Sequence, residues 1–153
     1  MYLLDTNHCS KLLSGHPGIS RKLKSLGDVL VATCVVVRGE LVYMAEKSAN
    51  PADNRGAVAN FLDDIEVFPI DEKTADVYGE LKAALIARFG PREKAKLRRI
   101  DIERLGFREN DLWIAAAARR HGLTVVTADG DFRRMQQAVD LDVETWWTPS
   151  VTD

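Results

Sequence analysis

Asp111-Leu112-Trp113-Ile114-Ala115-Ala116-Ala117-Ala118-Arg119-Arg120-His121-Gly122-Leu123-Thr124-Val125-Val126-Thr127-Ala128-Asp129 sets two apolar patterns back to back. Asp111 to His121 has the composition of a buried helix, and Gly122 supplies a C-terminal stop. Leu123 to Val126 is a short continuous apolar run, the pattern of a strand covered on both faces. A buried helix feeding a buried strand is the repeating element of a parallel α/β sheet. Working outward, the same alternation recurs. Upstream, Ala75, Tyr78, Leu81, Leu85 and Ile86 place a helical stripe over residues 72 to 88, capped by Asp71 and ended by Phe89-Gly90-Pro91. Val67-Phe68-Pro69-Ile70 reads as a strand whose proline belongs near a sheet edge. Ala57 to Leu62 and Val35 to Glu46 read as helices separated by the break at Asn50-Pro51, and Val29 to Ala32 as a strand. Ile19 to Leu26 has helical spacing closed by Gly27-Asp28, and Tyr2 to Leu4 is a first strand that stops at Asp5-Thr6-Asn7 and turns into a helix. Downstream, Val143 to Trp146 is a candidate fifth strand. Short apolar strands alternating with helices require right-handed crossovers, so the expectation is a three-layer α/β/α sandwich with a central, mostly parallel sheet.

The 153 residues are 46% hydrophobic and 29% charged, which suits one globular domain spanning 1–153 and leaves little room for disorder. The longest nearly unbroken apolar run, Val29 to Val37, is far short of the roughly 20 residues that cross a bilayer. The start, Met1-Tyr2-Leu3-Leu4-Asp5, has no basic region and carries a carboxylate where a signal peptide is apolar, so no secretion and no membrane are expected. Cys9 and Cys34 make neither a disulfide framework nor a four-ligand zinc site. They read as reduced structural thiols in a cytoplasmic protein.

In a parallel sheet, ligands gather beyond the carboxyl ends of the strands, which draws attention to four carboxylates. Asp5 ends the first strand, and Asp129 follows the strand at 123–126, so the two can meet. Asp111 opens the apolar helix, where a carboxylate suits the helix dipole. Glu40 lies among Leu41, Val42 and Met44. Each has a plain structural use: Asp5, Asp111 or its neighbour Asn110, and Asp129 as caps or turn residues, and Glu40 as a solvated helix residue. As a set in this strand-helix order they are harder to explain by capping alone. Buried carboxylates must be protonated, paired with cations, or holding a metal, and hard oxygen ligands without His or Cys suit magnesium or manganese.

Leu3-Leu4-Asp5-Thr6-Asn7, Gly39-Glu40-Leu41, Glu109-Asn110-Asp111-Leu112-Trp113-Ile114-Ala115-Ala116 and Val126-Thr127-Ala128-Asp129-Gly130-Asp131-Phe132 resemble, in order, the motifs of PIN-domain ribonucleases, and most closely the VapC toxins of bacterial toxin–antitoxin pairs. The likeness runs along nearly the whole chain. It implies a magnesium-dependent endoribonuclease in which Asp5, Glu40, Asp111 and Asp129 form the acidic quartet, with Asp5 and Asp111 as direct metal ligands and Thr127 in support. It also implies a cognate antitoxin that aims a basic residue at the acids, and a homodimer or toxin–antitoxin assembly. The chain departs from the family where Val37 replaces the Ser or Thr common three residues before the glutamate. Asp131 competes with Asp129 for the fourth position, and nearness to the strand end favours Asp129. One or two ions fit equally well. The alternative is a catalytically silent PIN-like module that binds protein or RNA; a flap-type nuclease is disfavoured by the short chain.

The formal charge of −2 hides an asymmetry. Residues 88–108 hold eight basic residues against three acidic ones, a local +5 that leaves −7 elsewhere. This segment reads either as a solvated linker or as a phosphate-contacting rim directly before Asp111. Neutralising Arg98 and Arg99 is expected to weaken RNA binding and flatten its salt dependence; an unchanged salt slope in a binding titration would remove the rim. Other chemistries fit poorly. His8, His16 and His121 are isolated and read as surface or cap residues. No glycine-rich phosphate loop is present. Asn7 stands where a phosphoaspartate phosphatase needs a second Asp.

Overall fold

The computed structural model describes residues 1–93 and 100–148. Five short strands, β1 (Tyr2–Leu4), β2 (Val31–Cys34), β3 (Glu66–Phe68), β4 (Thr124–Val126) and β5 (Val143–Glu144), pair in the order β3-β2-β1-β4-β5, and every pairing is parallel. Seven helices flank this sheet among the described residues: α1 (Thr6–Leu13), α2 (Pro17–Leu26), α3 (Val35–Glu46), α4 (Pro51–Asp63), α5 (Glu72–Phe89), α6 (Glu109–His121) and α7 (Gly130–Met135). This is the expected α/β sandwich with the third strand at an edge, although that strand covers Glu66–Phe68 and stops just before Pro69 instead of running through it.

β1 sits in the middle because it is apolar on both faces: Leu3 and Leu4 are fully buried, and their neighbours Ala32, Val125 and Val126 are too. The chain moves outward from β1 through β2 to β3, then returns to β4 on the other side. Strand order therefore reverses at β1, which opens a crevice at the carboxyl ends of β1 and β4. β2 begins two residues later than its apolar run suggests. Val29 and Leu30 stay 39% exposed, and pairing starts at Val31 opposite Tyr2. Pro51 opens α4 rather than merely breaking the preceding helix, and Pro17 likewise opens α2, as proline does at a first helical turn.

Helix starts supply much of the local order. Asp5 caps α1, His16 caps α2 and Asp71 caps α5, each side chain accepting a backbone N–H of the first turn. The buried face of α6, Leu112, Ile114 and Ala115 to Ala118, lets this helix lie close against its neighbours. α6 packs against α5. There Tyr78 stacks on Trp113 with ring centroids 3.8 Å apart, and Lys82 and the Tyr78 hydroxyl both donate to Glu109. Cys9 and Cys34 are buried free thiols whose pKa values are pushed up by burial, in keeping with an inert structural role.

Candidate active site

Asp5 directly continues β1: its N–H donates to Val126 O at 3.1 Å, one step beyond the last pair of the ladder. Only 3% of it is exposed. Its Oδ1 accepts the His8 N–H at 2.8 Å, closing the first turn of α1, and its Oδ2 accepts the Thr127 hydroxyl at 2.5 Å. Thr127 Oγ1 in turn accepts the Asp129 N–H at 2.9 Å. One hydroxyl just past β4 therefore links Asp5 to the loop that carries Asp129. Asp129 caps α7, its Oδ1 accepting the Asp131 N–H at 2.9 Å.

His8 corrects the expectation of a surface or cap residue, because it is fully buried. Its Nε2 accepts the Trp146 N–H at 3.3 Å, which leaves Nδ1, 3.2 Å from Asp5 Oδ1, to carry the proton of the neutral ring. His8 thus braces Asp5 against the segment that follows β5.

Glu40 sits on α3, half-buried, with donors on both sides. The Thr6 hydroxyl donates to Oε2, and Asn110 Nδ2 donates to Oε1 at 2.7 Å. α1 and α6 together thereby orient a side chain belonging to a third helix. Asp111 lies in the first turn of α6 and is 4% exposed. Burial pushes its carboxyl up to about 6, opposed by Arg108 and reinforced by the charges of Asp129 and Glu40.

Asp5, Glu40 and Asp111 line one cavity of about 240 Å³ with Thr6, Asn7, Tyr43, Met44, Arg108 and Ile114. Asp129 joins them through Arg108, whose Nε donates to Asp111 Oδ2 at 2.9 Å and whose terminal nitrogen donates to Asp129 Oδ2 at 2.7 Å. Carboxylate oxygens of Asp111, Asp129 and Asp131 lie within 4.8 Å of one another, a spacing a single cation can bridge. Asp131 is also paired to Arg134 at 2.8 Å, whereas Asp129 points to Arg108. The donor set is all oxygen, which fits a hard divalent ion. Arg98 and Arg99 lie outside the described residues.

Four neighbours of the acids were missed as site residues: Thr6, His8, Arg108 and Asn110. Thr6 and Asn110 stand inside the quoted motifs, so their polar character beside Asp5 and Asp111 was a usable signal. Arg108 counted only as one charge of a basic run. Its partners lie 3 and 21 residues away in sequence, and no local pattern announces the longer link.

A PIN domain model matches residues 2–138. The chain belongs to the PIN-domain family. Among curated proteins it is similar to Ribonuclease VapC2 of Haemophilus influenzae, 31% identical over 95% of this chain and 97% of that protein. It is also similar to the tRNA(fMet)-specific endonuclease VapC of Shigella flexneri, 28% identical over 95% of this chain and 97% of that one. Among solved structures, VapBC2 from Rickettsia felis bound to a DNA fragment from its promoter matches with a TM-score of 0.75 and 28% identity, covering 95% of this chain and 98% of the matched one. This PIN domain is accordingly akin to VapC ribonucleases in sequence and in fold, and its acids stand where the sheet order reverses.

Proposed function

We propose that this PIN-domain protein is a magnesium-dependent endoribonuclease, the toxin of a VapBC-type toxin–antitoxin pair. The observation that carries this reading is the convergence of Asp5, Glu40 and Asp111 on one cavity, with Asp129 tied to its rim. Asp5 and Asp111 would hold the ion, since both are almost wholly buried and open into the cavity. Magnesium, or manganese in its place, supplies positive charge that offsets the charge developing on a phosphodiester and makes a nearby water more acidic. Thr127 and His8 hold Asp5 in one orientation. Thr6 and Asn110 hold Glu40 so that its carboxylate faces the same space, where it can order the attacking water. The recorded kinship with VapC ribonucleases supports RNA as the substrate, and the kinship with VapBC complexes supports a cognate antitoxin partner. We read residues 1–153 as a single nuclease domain, cytoplasmic, and homodimeric or assembled with its antitoxin. No helix among the described residues is long and apolar enough to cross a membrane.

The test is one cleavage assay on total bacterial RNA and on initiator tRNA, the substrate named for a relative. New RNA ends are expected with Mg²⁺ and none with EDTA. Binding of RNA without cleavage at any divalent ion concentration would instead identify a silent binding module.

A further inference from the structure

Arg108 occupies an awkward place. It is the residue before α6, at the N-cap, with extended backbone, and its side chain makes no capping hydrogen bond. Ser, Thr, Asp or Asn would satisfy that helix end, and a cation there opposes the helix dipole. What the guanidinium does instead is lie across two acids of the site, reaching Oδ2 of Asp111 and Oδ2 of Asp129 with different nitrogens. Asp129 Oδ1 is already taken by the Asp131 N–H. Oδ2, the atom Arg108 holds, is the Asp129 oxygen with no hydrogen bond from the backbone of its own turn.

We propose that Arg108 is an internal competitor for the cation: in the metal-free protein it neutralises Asp111 and Asp129, and a divalent ion gains those carboxylates by releasing it. The inference rests on reading the acidic cluster as a metal site. Its physical basis is that a planar fork can satisfy two carboxylates at once, as a dication does, while carrying one charge instead of two. The side chain is 65% exposed, so it has solvent on one flank and can leave without disturbing the core. The competition sets a threshold. Affinity for the ion is lowered by the free energy of breaking the two Arg108 contacts, and the site is kept paired when the ion is scarce.

The experiment titrates Mn²⁺ by calorimetry into RNA-free, EDTA-stripped wild type, Arg108→Gln and Arg108→Lys. Arg108→Gln is expected to bind Mn²⁺ about three- to tenfold more tightly, since the lost contacts are charge-assisted but partly screened. Arg108→Lys should fall between, because an ammonium keeps the charge but cannot fork. Equal or weaker binding by Arg108→Gln overturns the proposal and leaves the metal reading standing; no Mn²⁺ binding by any of the three overturns both. If the variants fail to fold, the wild type is followed by NMR at the Arg108 Nε–H. That proton should exchange slowly in EDTA and quickly once Mg²⁺ is added, and a signal unmoved by saturating Mg²⁺ overturns the proposal.

Discussion

Asp5→Asn is expected to fold as the wild type does and to cleave RNA at least about a hundredfold more slowly. The substitution is well suited to separating chemistry from architecture. Asn is as good an N-cap as Asp, so the amide oxygen can go on accepting the His8 N–H that closes α1. The lost oxygen is the one facing the Thr127 hydroxyl, which can turn and accept from the new amide, as it already accepts from the Asp129 N–H. What disappears is the negative charge at the end of β1. Cleavage rates on labelled RNA, measured beside thermal unfolding of the same preparations, check the prediction. A variant with wild-type Mg²⁺-dependent cleavage would remove Asp5 from the site.

Asp111→Asn is expected to be equally inactive but, without metal, more stable than the wild type at neutral pH. The Asp111 carboxyl is raised from 3.8 to about 6, chiefly by burial, so the folded state prefers its protonated form. Below about pH 4 the group is protonated in both folded and unfolded chains, and the preference for the neutral form is fully present. Between about 4 and 6 the unfolded chain releases the proton first, and above 6 both states are charged and that stability is lost. At pH 7.5 the wild type therefore carries a burden of about 2–3 kcal/mol that the amide lacks. For a domain of this size, that is roughly 4–12 °C in Tm. Melting in EDTA at pH 7.5 and at pH 4 gives the test: a gain for Asp111→Asn at the higher pH that vanishes at the lower. Destabilisation at pH 7.5 would mean that pairing with Arg108 outweighs burial.

Most of the architecture was legible in local pattern. Continuous apolar runs marked β1 and β4, helical stripes marked α3 and α5, apolar composition marked α6, and the proline that follows the third strand pointed to its edge position. The errors were at ends, where tertiary pairing decides. Val29 and Leu30 are as apolar as the residues that follow, and only the opposition of Tyr2 to Val31 excludes them from β2. The helix carrying Asp111 starts at Glu109, so neither Asn110 nor Asp111 is its cap. The Ala128-Asp129-Gly130-Asp131 turn runs into α7, whose length of six residues is too short to announce itself by periodicity.

Within the site, carboxylates were easy to nominate because a buried acid needs an explanation wherever it falls. Their supports were not. His8 looks unremarkable between Asn7 and Cys9, and its meaning comes from Trp146, 138 residues away. Capping and site membership also proved to be the same placement for Asp5 and Asp129, since a helix that begins at the carboxyl end of a strand puts its cap in the crevice.

The sheet order has a consequence for how the protein is made. β1 is made before β4 yet needs it to cover its second edge. A nascent polypeptide that has not yet released residue 129 therefore has an open central strand, no Thr127 to hold Asp5 and an incomplete set of acids. Docking of β4 on β1 is therefore the step that both closes the sheet and assembles the acids, so no partly built chain short of that step carries the finished cluster.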